Sequence, residues 1–275
     1  MLQLKSKQQL SEFLRGDNVG FVPTMGALHV GHVSLIKQAT AANDCVIVSI
    51  FVNPLQFDNS SDLQKYPNTL PNDINVLLEL GVDAVYLPQY ADLYPEGDNV
   101  KQIVAGPAAQ FFEGEARPGH FDGMLTVVHR LLKQVNPSHA YFGEKDAQQL
   151  CLVKQLVDDF ALPVEIVGCR LVRDADGLAV SSRNVRLSTA ARHAALSLPQ
   201  ALRAGSQQFE SGVVDASVLV QKMMSTLDSS EICLRYCAIV DDRTFAELKN
   251  EVRVPARAII AAEVGGVHLL DNQLL

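Results

Sequence analysis

Tryptophan is absent from this chain of 275 residues, and basic residues are in the minority. The 23 Lys and Arg residues are outnumbered by 31 Asp and Glu residues, which gives a formal net charge of -8. An acidic chain lacks the positive surface with which proteins bind DNA or RNA phosphates, so no nucleic-acid partner is expected. No apolar run approaches the length of a membrane span, and residues 1–10 lack the apolar core of a signal peptide. We therefore expect a cytoplasmic protein with no membrane partner.

Cysteine motifs and two common nucleotide-binding signatures are also missing. The five cysteines form no C-x-x-C pair and mostly stand in apolar runs, which predicts buried free thiols rather than a zinc site. Neither G-x-x-x-x-G-K-[ST] nor G-x-G-x-x-G occurs in the chain. A P-loop NTPase and a dinucleotide-dependent oxidoreductase are therefore not supported.

The apolar pattern alternates between strand-like and helix-like segments. Residues 19–22, 45–52 and 82–87 are short, largely apolar runs, as expected of parallel strands covered on both faces. Amphipathic segments at 33–42 and 72–80 separate them. Because strands alternate with helices, we predict an α/β fold with a Rossmann-like, doubly wound parallel sheet.

The pattern changes beyond a turn signal at 174–177. We therefore predict a Rossmann-like domain at 1–174 and a smaller C-terminal α+β domain at 175–275. The remaining predicted elements are a helix at 2–14, a long polar loop at 53–67, a helix at 123–135, a strand at 139–142, a turn at 143–146 into a helix lasting to about 160, a strand at 164–169, helices at about 189–209 and 215–227, and strands at 232–240 and 257–264.

The stretch PTMGALHVGH at 23–32 follows one predicted strand and leads into a predicted helix. Gly26 and Gly31 have no Cβ, so the backbone there can approach a ligand closely. A helix start also presents unpaired N–H groups and the positive end of the helix dipole, which suits phosphate. His29 and His32 are three residues apart and share a helical face, so both imidazoles can donate to one phosphoryl group. The stretch predicts a nucleotide site.

Two alternatives exist for the histidine pair. Histidines near a helix start are commonly only partly exposed polar residues, and pairs at this spacing also bind metals. No third His or Cys stands nearby, which disfavours a metal site. The preceding strand and glycine turn favour the nucleotide interpretation.

Polar residues also follow other predicted strands, and the carboxyl ends of parallel strands meet at one edge of a sheet. Gln56 follows the second strand, and the string GEKDAQQ at 143–149 follows the strand at 139–142. In that string Lys145 supplies a cation, although a loop lysine is often merely solvated. Gln149, four residues on, supplies a neutral amide suited to a hydroxyl or a carboxylate, whereas Gln148 is expected to point away.

Three further candidates carry weaker signals. The string SSR at 181–183 offers two hydroxyls and a guanidinium that can bind polyphosphate, or it is a capping loop with a surface arginine. Arg117 and His120 form a second candidate cationic pair. Asp73 is a possible magnesium ligand, although carboxylates at helix starts often only interact with the dipole.

Five strings in register carry a resemblance to a known family. They are PTMGALHVGH at 23–32, FVNPLQF at 51–57, RPGHFDGMLTVV at 117–128, FGEKDAQQ at 142–149 and DGLAVSSRN at 176–184. In this order and at these separations they closely resemble the strings of pantothenate synthetases (pantoate–β-alanine ligases), which are nucleotidyltransferases with an H-x-G-H motif. The resemblance extends over about residues 20–187.

The resemblance implies an AMP-forming ligase. ATP and pantoate would give pantoyl adenylate and pyrophosphate, with Mg²⁺, and β-alanine would then displace AMP to give pantothenate. The family is usually homodimeric, and its C-terminal domain closes over the site. The alternative is an H-x-G-H nucleotidyltransferase that keeps the nucleotide on its product, and a non-catalytic nucleotide-binding protein is a third hypothesis.

The resemblance also assigns roles to residues of this chain. His32 would be the proton donor, with His29 and Lys145 as the other catalytic residues, and Gln56 and Gln149 would bind pantoate, Gln56 also lying near β-alanine. The implied ATP-binding residues are Met25, Gly26, Ala27, Leu28, His29, Val30, Gly31, His32, Gly143, Glu144, Lys145, Asp146, Val172, Val180, Ser181, Ser182 and Arg183.

The chain departs from the family pattern at three positions. Asn68 stands where the family usually has an arginine, so a cation of the active-site gate is missing. Val180 stands where Met or Leu is commoner. Asn72 precedes Asp73 where some members have a second acid, which weakens the implied magnesium contact.

Overall fold

A computed structural model describes residues 1–14, 18–57, 63–64, 66–227, 231–253 and 255–275. Residues 58–62 and 65 of the predicted polar loop lie outside the described residues. The chain divides into two compact units: the first comprises Met1–Glu144 and Gln148–Arg170, and the second comprises Lys145–Ala147 and Leu171–Leu275.

The first unit contains a parallel six-stranded sheet. Its strands are β1 (Leu2–Leu4), β2 (Val19–Thr24), β3 (Cys45–Ile50), β4 (Ala84–Tyr86), β5 (His139–Gly143) and β6 (Glu165–Cys169), in the spatial order β1-β4-β3-β2-β5-β6. The helices of this part of the chain are α1 (Lys7–Phe13), α2 (Val30–Ala42), α3 (Leu70–Glu79), α4 (Tyr90–Leu93), α5 (Glu113–Ala116), α6 (His120–Val135) and α7 (Ala147–Asp159).

The apolar runs become strands because helices cover the sheet. Ile36 of α2 and Leu77 of α3 are fully buried and pack in one cluster with Val22 of β2 and Val48 of β3. Burial of such side chains stabilises a fold by about 1.5–3 kcal/mol each. Asn43 ends α2, and its amide donates to the Tyr141 hydroxyl of β5 at 2.6 Å.

The order of the strands places the candidate site. β2 pairs in parallel with β3 on one side and β5 on the other, so the direction of winding reverses between β2 and β5. In a doubly wound sheet, ligands bind at this reversal, outside the carboxyl ends of the strands. β2 ends at Thr24 and β5 at Gly143, so these neighbouring parallel strands end at the same edge of the sheet.

The second unit contains a three-stranded antiparallel sheet and helices. Its elements are α8 (Thr189–Ala195), α9 (Ser197–Glu210), α10 (Ala216–Met224), β7 (Ile232–Asp241), β8 (Ala256–Val264) and β9 (Val267–Leu274). Leu202, Leu219 and Ile260 are fully buried in its core. A Cβ on Gly205 of α9 would lie 2.7 Å from Cγ of Met223, so α9 and α10 pack closely only because that position is glycine.

The predicted fold class is confirmed: a Rossmann-like parallel sheet is joined to a smaller C-terminal α+β part. Two element predictions were wrong, at the chain's start and in the α8–α9 region. Residues 2–4 form β1, paired with β4, and the helix begins only after Ser6, whose side chain accepts from the Gln9 N–H. The predicted helix at 189–209 is two helices, because Pro199 lacks an N–H and is tolerated only in the first turn of a helix, here that of α9.

The last strand was not predicted. Gly265 and Gly266 both have positive φ angles (55° and 76°) and form the two-residue turn between β8 and β9. A Gly-Gly pair between apolar runs is a hairpin signal, yet no strand is predicted after the one at 257–264. The helix predicted from residue 72 begins at Leu70, with Pro71 in its first turn.

The cysteine prediction is only partly met in the structure. All five cysteines are free, as predicted, but only Cys151 and Cys169 are buried, and Cys233 is exposed. Burial raises the pKa of the Cys169 thiol to about 11 and that of Cys237 to about 12. Within the described ranges, no helix is both long and apolar enough to span a bilayer.

Candidate active site

The turn after β2 is built on unusual backbone angles. Gly26 and Ala27 both have positive φ angles (81° and 52°), and the Thr24 hydroxyl accepts the Gly26 N–H at 3.1 Å. The same hydroxyl donates to the Ser49 carbonyl of β3 at 2.8 Å. A side chain other than hydrogen is strained in this region of φ, so Ala27 requires support from elsewhere in the fold.

Asp73 supplies that support. Its carboxylate is 1% exposed and accepts the Ala27 N–H at 3.0 Å and the Leu28 N–H at 2.9 Å, one on each oxygen. The Thr69 hydroxyl donates to the same group at 3.0 Å. Hydrogen bonds to a charged acceptor are about twice as strong as neutral ones, so Asp73 fixes the turn at two successive peptides.

The two histidines cap α2 reciprocally. His29 is the N-cap residue, with extended backbone, and its Nδ1 accepts the Gly31 N–H at 3.1 Å. Nδ1 of His32 accepts the His29 N–H at 3.3 Å. The ring centroids are 4.1 Å apart, so the predicted convergence of the two imidazoles is present. Since Nδ1 is the acceptor in each neutral ring, the ring proton is on Nε2.

Gly31 makes room for the His29 ring. A Cβ at residue 31 would lie 2.8 Å from Cε1 and 3.0 Å from Nδ1 of the His29 ring. A larger residue would therefore displace the ring that caps the helix. Gly26 is buried, and a Cβ there would lie 3.1 Å from Oδ2 of Asp73. Both glycines permit packing within the protein.

Gln56 lies beside the turn. It stands in a short 3-10 helix after β3, is 8% exposed, and its amide nitrogen lies 3.1 Å from the sulfur of Met25. Asn53, which is fully buried, donates to Oε1 of Gln56 at 3.2 Å and accepts from the Tyr94 hydroxyl at 2.9 Å. Asn53 thus orients Gln56, a role not predicted from the sequence, in which residue 53 is only the start of the predicted polar loop.

Arg117 and His120 contact the backbone beside Gln56. Arg117 donates to Nε2 of His120 at 3.2 Å, so the neutral ring carries its proton on Nδ1, which donates to the Gln56 carbonyl at 2.8 Å. His120 is 8% exposed. The pair holds the start of α6 against the 3-10 helix. Gly123 of α6 has no room for a Cβ because the Leu55 carbonyl occupies that space.

The segment after β5 continues the site in the first unit as far as Glu144. A Cβ on Gly143 would meet only Leu35, at 3.9 Å, so this position is less crowded than Gly31. Gln148 is 5% exposed and donates to the carbonyls of Ala108 and Phe111, which agrees with its predicted direction away from the site. Gln149 is half-buried.

Lys145 and Asp146 belong to the second unit. They lie in a 3-10 turn before α7, which begins at Ala147, so Lys145 and Gln149 do not share a face of one α-helix as predicted. The Lys145 ammonium lies 3.2 Å from Oδ1 of Asp146, and its side chain is 21% exposed. The Lys145 carbonyl accepts from the Asn272 amide at 2.9 Å.

Val172 and Val180 are brought together in the second unit. The Val180 N–H donates to the Val172 carbonyl at 3.0 Å, across a turn in which Arg173 bridges to Ala179. The Arg192 side chain bonds both carboxylates of this turn, Asp174 and Asp176, and holds the pKa of Asp176 below its ordinary range. Two predicted ATP-binding residues are therefore neighbours on a braced turn.

The string at 181–183 forms the start of a 3-10 helix. The Ser181 hydroxyl accepts the Arg183 N–H at 3.3 Å, so one serine has the capping role considered as an alternative. Ser182 is exposed and Arg183 is half-buried. Oδ1 of Asn184, directly after them, is buried and has no hydrogen-bond partner among the described residues.

A comparison with known protein families shows which family has this fold and these sequence motifs. The model of the family described as pantoate-beta-alanine ligase matches residues 2–274. The chain belongs to this family.

Individual relatives and solved structures agree with this family assignment. The bifunctional pantoate ligase/cytidylate kinase of Thermosynechococcus vestitus is 45% identical over 97% of this chain and 52% of its own length. The chain thus spans about half the length of the bifunctional relatives that it matches. The crystal structure of pantothenate synthetase from Thermus thermophilus is 41% identical, with a TM-score of 0.93 over 100% of this chain and 99% of that one. The pantoate-beta-alanine ligase of Francisella tularensis, crystallised with beta-gamma ATP and beta-alanine, is 41% identical, with a TM-score of 0.79 over 100% and 97% of the chains.

Magnesium is the cation that membership of the pantoate-beta-alanine ligase family implies, and Asp73 was the predicted ligand. Its two oxygens already accept three hydrogen bonds, and its carboxylate is almost wholly buried. In the described part of the chain, no group of three or more His, Cys, Asp or Glu residues could hold a metal ion. Asp73 therefore does not fit as a magnesium ligand, and its contacts favour support of the turn.

Proposed function

We propose that the chain catalyses the ATP-dependent condensation of pantoate with β-alanine to pantothenate, through a pantoyl-adenylate intermediate. In the first step a carboxylate oxygen of pantoate attacks the α-phosphorus of ATP. An oxygen–phosphorus bond forms, the bond to the β-phosphate oxygen breaks, and pyrophosphate leaves. In the second step the β-alanine nitrogen bonds the acyl carbon, the bond to AMP breaks, and the amine loses a proton.

The paired histidines at the start of α2 carry this proposal. Backbone contacts at Nδ1 leave the proton of each neutral ring on Nε2, so both rings are hydrogen-bond donors. They stand at the helix N-terminus and at the reversal of the strand order, where the dipole favours negative charge. Donors fixed before the reaction stabilise charge that develops on phosphate oxygens without reorganisation. In this proposal His29 and His32 bind the triphosphate, and His32 is the proton donor.

Gln56 and Gln149 are proposed to hold pantoate. The Gln56 amide is fixed by Asn53 and lies against Met25 of the ATP-binding stretch, so a substrate bound to it lies next to the bound nucleotide. A neutral amide binds hydroxyl and carboxylate groups without adding a charge that would weaken the attacking carboxylate. Positioning of this kind supplies much of the rate in a displacement at phosphorus.

In the second unit, Lys145 is proposed to stabilise the phosphate charge during adenylation. Val172, Val180 and the string at 181–183 are proposed to complete nucleotide binding. Closure of a C-terminal domain at 175–275, a homodimer, participation of Mg²⁺ and a cytoplasmic location are finer parts of the same proposal, and they rest on the family resemblance.

The decisive experiment measures AMP formation from ATP. We expect AMP only when pantoate and β-alanine are both present, and pantoate-dependent exchange of pyrophosphate into ATP without β-alanine. If pyrophosphate is released but AMP stays bound covalently in the product, the chain is instead a nucleotidyltransferase that retains the nucleotide. If neither product forms with any combination of substrates, the proposed function is wrong.

A further inference from the structure

The carbonyl of Lys145 is held by the last strand of the chain. Nδ2 of Asn272, on β9, donates to it at 2.9 Å. Asn272 is 5% exposed, so water competes little for this bond. The two residues are 127 positions apart, and the sequence interpretation recognised neither β9 nor this contact.

The orientation of the Asn272 amide is itself fixed. Nη1 of Arg257 donates to Oδ1 of Asn272 at 2.6 Å, and Nε of Arg257 donates to Asp242 at 2.6 Å. A guanidinium has donors only, so the amide must turn its oxygen towards Arg257 and its NH₂ group towards Lys145. Arg257 is 4% exposed, so the series of hydrogen bonds that links Asp242, Arg257, Asn272 and the Lys145 carbonyl is largely buried.

The residue before Asn272 supports the same region. The Asp271 carboxylate accepts the Asn272 N–H at 2.7 Å and a bidentate pair of bonds from Arg173, at 2.6 and 3.0 Å. Arg173 also donates to the Gly177 carbonyl, in the turn that pairs Val172 with Val180. Burial raises the pKa of Asp271, and Arg173 opposes that rise.

Lys145 lies in a single short turn between β5 and α7. A 3-10 helix of three residues, Glu144–Asp146, is too short to be stable by itself. The contact of its ammonium with half-exposed Asp146 is a surface ion pair of small worth. The position from which the Lys145 side chain extends therefore depends on how its backbone is held.

We propose that Asn272 is a positioning residue for Lys145: its amide, oriented by Arg257 and Asp242, sets the Lys145 backbone and thereby the place that the ammonium reaches. The inference rests on the proposed role of Lys145 in adenylation. Asn272 touches no reacting atom in this scheme and acts only through Lys145.

The test is a double-mutant cycle on pantoate-dependent pyrophosphate exchange. Asn272→Asp keeps the volume and the bond from Arg257 but replaces the donating NH₂ with an oxygen, and Asn272→Ala removes both bonds. We expect each variant to lose about tenfold in kcat, the effect of one hydrogen bond, with little change in the KM for ATP. In a Lys145→Ala background, neither change is expected to lower the remaining rate further. Gln273→Ala, one residue along β9, is the matched control and should retain wild-type kcat.

A second measurement does not depend on activity. Amide hydrogen exchange across residues 143–149 is expected to be faster in Asn272→Asp than in Gln273→Ala, because the segment loses its anchor. Equal rates of amide hydrogen exchange in Asn272→Asp and Gln273→Ala would overturn the inference. It would also be overturned if an Asn272 substitution lowered kcat by the same factor in the Lys145→Ala background as in the wild type. If Lys145→Ala abolishes exchange of pyrophosphate while both Asn272 variants behave as wild type, the inference fails and the proposed function stands. If Lys145→Ala retains normal turnover, the role of Lys145 in the proposed function fails, and the inference fails with it.

Discussion

The turn after β2 and the segment at Lys145 are proposed to act on one triphosphate, yet they are held in different ways. In the turn, His29 and His32 bond the backbone of their own helix start, and Asp73 adds support from 45 or 46 residues away. Lys145 depends on a contact with a residue 127 positions later. The turn after β2 is held largely by hydrogen bonds within its own segment, whereas the Lys145 backbone is held by a residue far along the sequence.

The sharpest test of this comparison removes one functional side chain from each region. We expect His32→Ala and Lys145→Ala each to lower the rate of pantoate-dependent pyrophosphate exchange about 100- to 1000-fold, since each removes a donor to developing charge. Only His32→Ala should also lower the free energy of unfolding, by about 1 kcal/mol, because it removes a helix cap. Exchange kinetics and urea unfolding measure the two effects.

Lys154→Ala, an exposed lysine on α7, is the control for loss of charge and should retain wild-type activity. Near-normal turnover in either site variant would remove that residue from the mechanism.

The second prediction concerns the support of the turn. Asp73→Asn leaves a single acceptor, the amide oxygen, and places an NH₂ group against a backbone N–H. Either the Ala27 or the Leu28 N–H therefore loses its acceptor. We expect a loss of about 2–3 kcal/mol in the free energy of unfolding, measured in urea, with a raised KM for ATP. Asn72→Ala, exposed on the same helix, should change neither quantity. If excess Mg²⁺ restores ATP binding in Asp73→Asn, Asp73 acts through the metal and the support role is wrong.

The comparison also explains how much of the site the sequence could predict. The strand–turn–helix order and the convergence of His29 and His32 follow from apolar pattern and spacing, and the structure contains both. The roles of Asp73, Asn53 and Asn272 could not be predicted, because each acts on a residue distant in sequence or hidden by an ordinary local signal. Asn53 was predicted only to begin a polar loop, and Asp73 was predicted as a possible magnesium ligand.

A third prediction uses the crowding at Gly31. Alanine favours a helix interior over glycine by up to about 1 kcal/mol, yet its Cβ would displace the His29 ring. Because the displaced ring also loses its cap on the helix, Gly31→Ala should leave the free energy of unfolding nearly unchanged while lowering the rate of pyrophosphate exchange about tenfold, as expected for a displaced hydrogen-bond donor. Gly106→Ala, with an ordinary φ angle of -71° and no atom within 4 Å of its Cβ, is the matched control and should leave activity intact. Parallel loss of stability and activity in Gly31→Ala would show that the glycine serves the helix rather than the ring.

The smallest expected effect concerns pH. It distinguishes loss of folding stability in acid from loss of activity at the paired histidines His29 and His32. Burial, together with Lys133 and Arg130, lowers the pKa of His129 on α6 below its ordinary 6.5. The unfolded chain therefore takes up this proton first, so stability is full above about pH 6.5 and falls as the pH drops through the folded pKa. His129→Gln should therefore lose less free energy of unfolding than the wild type between about pH 7 and pH 5. If His129→Gln keeps its stability in acid but still loses pyrophosphate exchange there, the activity loss arises at the site and not from unfolding. Identical stability curves for His129→Gln and the wild type would contradict the lowered pKa.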